Sequence, residues 1–456
     1  LPSNLFYGTG IPACILVMNK AGAKDRKHVL FINADREYRE GKAQNFLRPE
    51  DIDKIVHAYR QSADIPAYAR HVPREEIAGE NYNCNIRRYV DNAPPPEPHD
   101  VRAHLHGGVP TVEIESLGHY WSNYKGLKES CFQSRASDVV YQDFTAVLKD
   151  KRAISEHVAN HAGVIERQGA FLDQLSAWWQ KNLPLVEALA PDPHNKAGHA
   201  GNVYVLRRIL LAGIAETFKD QNLLSAYQVR GAFANYINQL KADLKSIAAS
   251  GWGPELIPDQ EILASQFPEV LEELEQSRAR LAELQALFAA ADEEDFEDTD
   301  ETGVLPSDEV KKLKAELKEL NTRAKLAKKE GTKEELAAYL AEAEAIEKRL
   351  AAHKALDLVA KTLKAGIRTT EKKQDELVEA ARAKISRDEA RKVIVERLGR
   401  LLIESYQAYL RADQRACVAA IENLWSKYAV TAKEIEVERD TASKQLQEYL
   451  EALGYE

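Results

Sequence analysis

The chain has 456 residues, which at roughly 150 residues per domain is enough for about three domains with a core each. Hydrophobic residues make up 44% and charged residues 29%, which excludes a wholly disordered or collagen-like chain. Asp and Glu number 72 against 62 Lys and Arg, and the net charge of −10 excludes a protein that coats nucleic acid through overall positive charge. Local contact with DNA remains open.

Apolar runs and cysteines indicate the cellular setting. The longest apolar run, residues 11–18, is far shorter than the ~20 residues of a bilayer-spanning helix, so no membrane partner is predicted. The sequence opens with Leu1 and its only methionine is Met18, so we expect a chain cut from a longer one. A reducing cytoplasm is predicted, because no C-x-x-C pair and no dense disulfide framework links Cys14, Cys84, Cys131 and Cys417.

The first hundred residues are typical of strands, turns and short helices. Residues 11–18 and 29–32 are apolar runs separated by the polar loop 20–27, which predicts a β-hairpin. Their apolar residues are consecutive, which favours strands covered on both faces, as in an α/β sheet. A lone pair of strands is marginal in water, so we expect the rest of this sheet upstream of Leu1 or in another chain.

Helices are predicted after this hairpin. Pro49 followed by Glu50 and Asp51 predicts a helix start after the loop 36–48, and a proline-rich stretch at 94–98 ends the region. Further helices are predicted over 155–182 and 223–247. We therefore divide the chain into segments 1–110, 111–253 and 254–456.

The last segment is typical of long helices, because no proline follows Pro306. One apolar seam with spacings of three and four predicts a coiled-coil helix that needs a partner: Phe267, Val270, Leu274, Ser277, Leu281, Leu284 and Phe288. Two more helices, meeting at Gly331, predict an antiparallel hairpin, with Ser307 and the capping box Thr332 and Glu335 at their starts. Ser386 and Glu389 predict another helix start. Eight acidic residues within 292–301 predict a flexible connector.

Chemical motifs are sparse. Gly8, Thr9 and Gly10 precede a predicted strand and do not link a strand to a helix, which favours a turn over a phosphate-binding loop. Four histidines fall close together in sequence, but their spacing matches no common metal-ligand pattern, so a histidine-rich surface loop is favoured and no metal site is predicted: His99, His104, His106 and His119. Neither a G-x-S-x-G nor an H-E-x-x-H motif is present.

Three blocks at the start of the chain resemble the modification subunit of type I restriction enzymes, an adenine-N6 DNA methyltransferase. They are LPSNLFYGTGIPACIL at 1–16, then VLFINA at 29–34 continuing with residues of 41–56, and YNCNIRRY at 82–89. Near the C-terminus, Asn423, Leu424, Trp425, Lys427 and Tyr428 and the ending Leu453, Gly454 and Tyr455 also look like this family. Arg87 departs from the pattern, which has proline there.

The resemblance implies methyl transfer from S-adenosylmethionine to the amino nitrogen of an adenine turned out of the duplex. The family's catalytic tetrapeptide and glycine-rich cofactor loop do not occur in residues 1–456, so we expect both upstream and predict no catalytic or cofactor-binding residue in this chain. The implied fold is the last strands of a Rossmann-like methyltransferase sheet in 1–110, a helical domain in 111–253 and a coiled-coil assembly arm in 254–456. The chain should not methylate unaided.

One aromatic residue is implied to reach the active site. Phe6 precedes the predicted hairpin, where relatives place an aromatic that stacks on the flipped base; the alternative is a core aromatic that anchors a strand. Four residues in polar loops are candidates for phosphate contact, although each is also compatible with an ordinary surface role: Lys42, Asn45, Arg87 and Arg88.

The implied partners are the specificity subunit, a second modification subunit, the restriction subunit and double-stranded DNA. The apolar seams of the arm fit helices of the specificity subunit, and folding back within the chain would satisfy them equally well. Two other classes remain open. A non-enzymatic coiled-coil scaffold would explain the last segment but not the first blocks, and an acidic DNA mimic would explain only 292–301.

Overall fold

The structure is a computed structural model that describes residues 1–135, 138–191, 201–292, 303–330 and 332–454. The described part is mainly helical, which confirms the predicted α region, and it contains short antiparallel strands. The strands are β1 His28–Ile32, β2 Ala69–Pro73, β3 Val109–Pro110, β4 Phe132–Ser134 and β5 Tyr141–Phe144. No helix in these ranges is long and apolar enough to span a bilayer.

Contacts divide the chain into two compact units, Leu1–Gly251 with Val395–Glu456 and Trp252–Ile394. The helices of the first stretch are α1 Pro49–Gln61, α2 Arg74–Gly79, α3 Ile86–Tyr89, α4 Val101–His106, α5 Thr111–Glu115, α6 Gly118–Asn123, α7 Leu127–Cys131, α8 Lys151–Asn160, α9 Ala162–Glu187, α10 Val203–Thr217, α11 Ala226–Gln239 and α12 Lys241–Ser250. A 3₁₀ turn, Pro254–Leu256, is followed by α13 Asp259–Gln266, α14 Pro268–Ala291, α15 Ser307–Glu330, α16 Lys333–Arg382, α17 Arg387–Tyr428 and α18 Ala432–Ala452. The three-segment division stays a prediction.

The predicted hairpin of residues 11–18 with 29–32 is wrong. Residues 29–32 do form a strand, β1, but it pairs antiparallel with β2, from His28 opposite Pro73 to Ile32 opposite Ala69. Residues 11–18 form no strand ladder with any described residue, and their large side chains are exposed, Leu16 by 76% and Met18 by 84%. An extended apolar segment becomes a strand only where another strand offers hydrogen bonds, and none of the described strands pairs with this one.

Helices cover both faces of the β1–β2 pair. Phe31 packs against Tyr89, with ring centroids 4.6 Å apart, in a cluster that includes Val72 of β2. On the other face, Ala58 of α1 packs with Tyr68 and Ala34. The second sheet, of order β3–β5–β4, is also antiparallel. The Rossmann-like remnant is therefore not confirmed, since neither sheet contains the parallel strands of that fold.

The core of the first unit forms around α17. Tyr406 is fully buried, and its hydroxyl donates to the carbonyl of Val229 (2.7 Å). Phe171 of α9 lies between Phe218 (4.5 Å between centroids) and Tyr406 (5.9 Å). The hydroxyl of Tyr236 donates to the carbonyl of Leu398 (3.0 Å). Buried aromatic residues with satisfied hydroxyls thus join helices that are far apart in the sequence.

Two predicted helices of the first unit are interrupted. The stretch 155–182 divides at His161, whose Nδ1 accepts a hydrogen bond from Gly163 N–H (3.2 Å) as α9 begins. Gly163 lies so close to the backbone of Lys125 that a Cβ atom would be 2.1 Å from its carbonyl oxygen. The stretch 223–247 likewise divides into α11 and α12 at Leu240.

The second unit is built along α16. Glu309 of α15 pairs with Arg349 (2.9 Å). Arg278 of α14 pairs with Glu371 (2.7 Å) and Phe288 packs against His353 (5.5 Å between centroids), so both α15 and α14 run antiparallel to successive parts of α16. Within the predicted seam of α14 every position is buried or half-buried, which supports folding back within the same chain for this seam. The hairpin of α15 and α16 is confirmed, while Gly331 itself and 293–301 of the acidic run lie outside the described residues.

The predicted helix starts in this region differ in their caps. Ser386 and Glu389 form the full capping box, with Glu389 N–H donating to Ser386 Oγ (3.3 Å) and Ser386 N–H donating to Glu389 (2.9 Å). Thr332 precedes α16 as predicted but makes no side-chain cap bond. Ser307 is the first residue of α15, and its N–H donates to Asp292 (2.8 Å).

Candidate functional site

The loop before α1 is a closed turn. The backbone N–H of Arg39 donates to the carbonyl of Phe46 (2.8 Å), and the N–H of Phe46 donates back to Arg39 (2.9 Å). At Gly41 a Cβ atom would lie 2.3 Å from the carbonyl oxygen of Gln44 and 2.7 Å from the Phe46 ring. Only glycine fits this close approach, so the loop has a defined shape with Lys42 at its exposed tip.

This loop holds the segment that precedes Phe6. The side-chain amide of Asn45 donates to the carbonyl of Ser3 (2.9 Å), and its backbone N–H donates to the carbonyl of Asn4 (2.7 Å). The amide of Gln44 donates to the carbonyl of Leu5 (3.2 Å). Three consecutive carbonyl groups are thereby fixed immediately before Phe6. Asn45 is buried, so in this structure its amide positions the backbone of the N-terminal segment.

Phe6 and its neighbour Tyr7 point into open space, being 53% and 86% exposed. Among the described residues Phe6 is therefore not buried, and it belongs to none of the five strands. An exposed aromatic face on a fixed backbone is able to stack on a planar group. The base-stacking role of Phe6 and the phosphate contact of Lys42 stay predictions.

Arg87 and Arg88 have acidic partners. The guanidinium of Arg87 donates through Nε (2.9 Å) and Nη2 (2.7 Å) to one oxygen of Asp35, and the amide of Asn92 donates to the other (2.6 Å). Burial raises the pKa of Asp35, but these hydrogen bonds outweigh it and hold the pKa below its usual value. Arg88 pairs with Glu80. A phosphate would have to compete with these carboxylates, and for both residues DNA contact stays a prediction.

The histidine-rich region does not form a metal-type cluster in the described ranges. His99 and His104 stack with Nδ1 and Nε2 3.2 Å apart, and His104 also packs against Tyr428 (5.0 Å between centroids). His119 has a different neighbour, Asp413, whose carboxylate lies 3.7 Å from its Nε2. The four histidines thus do not converge on one point.

A buried ionic cluster lies near the end of α17, and the sequence did not predict it. Lys427 and Glu113 form an ion pair with side chains only 7% and 10% exposed, and Tyr428 donates its hydroxyl to the same carboxylate. Burial and the bond to Glu113 raise the pKa of Tyr428 to about 12. The N–H of Asp100 donates to the Tyr428 oxygen (3.2 Å), and Asn423 donates to Glu97 (2.8 Å). The sequence had singled out Asn423, Lys427 and Tyr428 only by resemblance, and here they anchor the proline-rich segment.

The last helix, α18, has no buried residue. A full capping box at Thr431 and Glu434 begins it. Its large apolar side chains are exposed. Tyr449, Leu450 and the C-cap residue Leu453 follow Leu446 at spacings of three, four and seven, and Ile435, eleven residues before Leu446, lies on the same face. This apolar face of α18 is a surface that a second helix could cover.

Comparison with known proteins identifies one part of the chain. Residues 1–97 match the family model described as N-6 DNA Methylase. The chain is 40% identical over 105 residues to the type I restriction enzyme MjaVIII methylase subunit of Methanocaldococcus jannaschii, which covers 22% of this chain and 18% of that protein. It is 34% identical over 107 residues to the MpnII methylase subunit of Mycoplasma pneumoniae, covering 23% and 19%, and 34% identical over 100 residues to the HindI methylase subunit of Haemophilus influenzae, covering 20% and 22%.

The matched part spans about a fifth of the length of these relatives. No solved structure matches the chain. The resemblance to type I modification subunits is confirmed over this N-terminal part of the chain.

Proposed function

Because residues 1–97 are related to the N-6 DNA methylases, we propose that this chain is part of the modification enzyme of a type I restriction system. That enzyme transfers a methyl group to adenine N6 in double-stranded DNA. The observation that carries the proposal is the family match of residues 1–97 together with identity of 34–40% to three type I methylase subunits over 100 to 107 residues. A coiled-coil scaffold of other ancestry would not produce this match.

S-adenosylmethionine would supply the methyl group in the assembled enzyme. The residues present do not fit its binding. Gly8 and Gly10 lie in an exposed segment that does not connect a strand to a helix, and residues 1–456 contain no Asn/Asp-Pro-Pro-aromatic tetrapeptide. The proposal therefore assigns cofactor binding and the reacting groups to polypeptide outside these residues and derives no chemical step from this chain.

The contribution of this chain to the reaction is recognition of the extruded adenine. A flipped base loses both stacking neighbours, and an aromatic face replaces one of them. The 53% exposure of Phe6 and the hydrogen bonds from Asn45 and Gln44 to the three preceding carbonyls support this role. The loop that fixes these carbonyls also presents Lys42, which is exposed and is a candidate for phosphate contact.

The test is methyl transfer by the assembled enzyme carrying Phe6→Ala. Stacking on one base contributes ~1 to 3 kcal/mol, so we expect kcat/KM to fall by roughly 5- to 150-fold. Phe6→Trp should retain most activity because its face still stacks. Tyr7→Ala, one residue away and more exposed, is the matched control and should leave the rate unchanged. Unchanged turnover in Phe6→Ala, with assembly intact, would remove Phe6 from the site.

The apolar face of α18 is the proposed docking surface for the specificity subunit. Exposed apolar residues at helical spacing on an otherwise polar helix need a partner helix. Since α18 contributes no buried residue, its loss should not disturb the core of the first unit. A second modification subunit and the restriction subunit remain proposed partners of the complex, without an assigned surface.

Co-purification with the specificity subunit tests this surface. Leu446→Asp should abolish capture, because it places a charge in the centre of the apolar face. Thr441→Asp adds the same charge at an exposed polar position on the other side of the helix and should leave capture intact. Both variants should keep the wild-type thermal midpoint. Full capture by Leu446→Asp would assign assembly to another part of the chain.

A further inference from the structure

The loop between residues 20 and 28, called here the basic loop, carries a local charge opposite to that of the chain. It has four cationic side chains, Lys20, Lys24, Arg26 and Lys27, against one carboxylate, Asp25, in a protein whose net charge is −10. Every residue from 21 to 29 is exposed. Such a density of like charge on nine residues is electrostatically unfavourable without a counter-charge.

The basic loop has a defined conformation that its own hydrogen bonds stabilise. Arg26 donates through Nη1 to the carbonyl of Asn19 (2.8 Å) and through Nη2 to that of Ala21. The side chain of Asn19 accepts from the N–H of Ala21 (2.9 Å), and Gly22 takes a positive φ of 68° at the turn. One guanidinium is therefore used to brace the loop, and the lysines remain free to project from it.

Its base is attached to the small sheet. The N–H of Arg74, directly after β2, donates to the carbonyl of Lys27 (3.0 Å), directly before β1. The cationic residue Arg74 thus joins the same end of the β1–β2 pair. Within the described ranges no ion pair neutralises Lys20, Lys24, Lys27 or Arg74, in contrast to Lys54 with Glu37 or Lys128 with Glu115.

We propose that the basic loop and Arg74 contact the phosphate backbone of duplex DNA. The inference rests on the proposed function, and it extends that function to a surface that is separate from Phe6 in the sequence. An acidic protein that must approach a polyanion needs a local cationic surface, and lysines on a braced loop supply point charges without reading bases. The contact should therefore raise the affinity equally for all DNA sequences, and this gain in affinity should decrease as the salt concentration rises.

The experiment measures DNA binding by the assembled enzyme as a function of salt. In the variant Lys20→Gln/Lys24→Gln/Lys27→Gln, Arg26 is kept so that the loop stays braced. Each lost phosphate contact removes about 0.9 from the slope of log K against log salt concentration, so we expect the slope to become shallower by about 1 to 3. The loss of affinity should be the same for a duplex with the target sequence and for one without it.

Two controls make the outcome decisive. The charge-conserving triple change of the same lysines to Arg should retain the wild-type slope. The matched change Lys325→Gln/Lys328→Gln/Lys329→Gln removes three exposed lysines from α15 and should leave the slope unchanged. An unaltered slope in the loop variant, or a loss confined to the target sequence, overturns the inference. Methyl transfer by the wild-type enzyme is measured in parallel, and its absence would instead overturn the proposed function.

Discussion

The two units build their cores in different ways. In the first unit the buried contacts join distant parts of the chain: Tyr124 donates to Asp413, 289 residues away, and Lys427 pairs with Glu113, 314 residues away. In the second unit α15 packs against α16, the next helix in the sequence, and α14 packs against a later part of α16. The long-range pair Arg278 with Glu371 spans 93 residues, far fewer than the pairs of the first unit, which exists only when α17 is in place. A destabilising substitution should therefore lower the stability of the whole first unit, whereas in the second unit its effect should be confined to the neighbouring helices.

The largest expected effect is that of Phe171→Ala. This ring is fully buried between Phe218 and Tyr406, so its removal leaves a cavity at the junction of α9 and α17. We expect the free energy of unfolding of the first unit to fall by about 3–5 kcal/mol. Four of the five tryptophans belong to this unit, so denaturant unfolding followed by tryptophan fluorescence reports on it, and far-UV circular dichroism reports on both units.

Leu320→Ala in α15 is the counterpart in the second unit. Leu320 is buried against α16, in a thin helical layer that is able to collapse around the change, so we expect the lower end of the range for leucine, about 2 kcal/mol. The fluorescence transition should not move. If Leu320→Ala shifts both transitions equally, the two units unfold as one body and the contrast between them is wrong.

The same contrast explains what the sequence could predict. The seam positions of α14, the start of α1 at Pro49 and the capping box of Ser386 and Glu389 depend on neighbours within one or two turns, and all are observed. Residues 11–18 were wrongly predicted as a strand because an apolar run indicates that a partner is needed but not whether one is present. The partner of Val29–Ile32 proved to be β2, about forty residues later, and no spacing rule identifies it.

The candidate site was predictable only in part. Resemblance located Phe6, and position in a polar loop selected Lys42; both are exposed. Position in a polar loop also selected Asn45, whose buried amide holds the backbone at Ser3, because a polar side chain in such a loop has the same sequence signal whether it binds DNA or its own chain. The basic loop was visible in the sequence only as a polar connection. Its significance depends on exposure and on the absence of ion-pair partners among the residues that the structure describes, and hydrophobic periodicity reports neither.

Lys427→Met should destabilise the first unit by more than Leu320→Ala destabilises the second. Among the described residues it leaves the buried carboxylate of Glu113 with the hydroxyl of Tyr428 as its one side-chain partner, and an uncompensated buried charge costs about 3 kcal/mol or more. The fluorescence transition of the first unit should move to lower denaturant. The double variant Lys427→Met/Glu113→Gln removes both charges and should recover most of the loss. If the double variant is as unstable as the single one, packing of the lysine stem and not charge is what matters.

The smallest effect is a pH dependence that belongs to the first unit alone. Burial raises the pKa of Asp413 above its usual value, against the opposing effect of the Tyr124 hydroxyl, which donates to it (2.6 Å). A raised pKa in the folded state means that protonation favours folding. The stabilisation is complete below the unfolded value of about 3.9 and is lost as the pH rises through the folded pKa. Asp413→Asn keeps an acceptor for Tyr124 but has no charge to bury, so its stability relative to wild type should be greatest at pH 7 and decline as the pH falls towards 4. A difference that does not vary with pH, measured by the fluorescence midpoint, would show that Asp413 is not the titrating group.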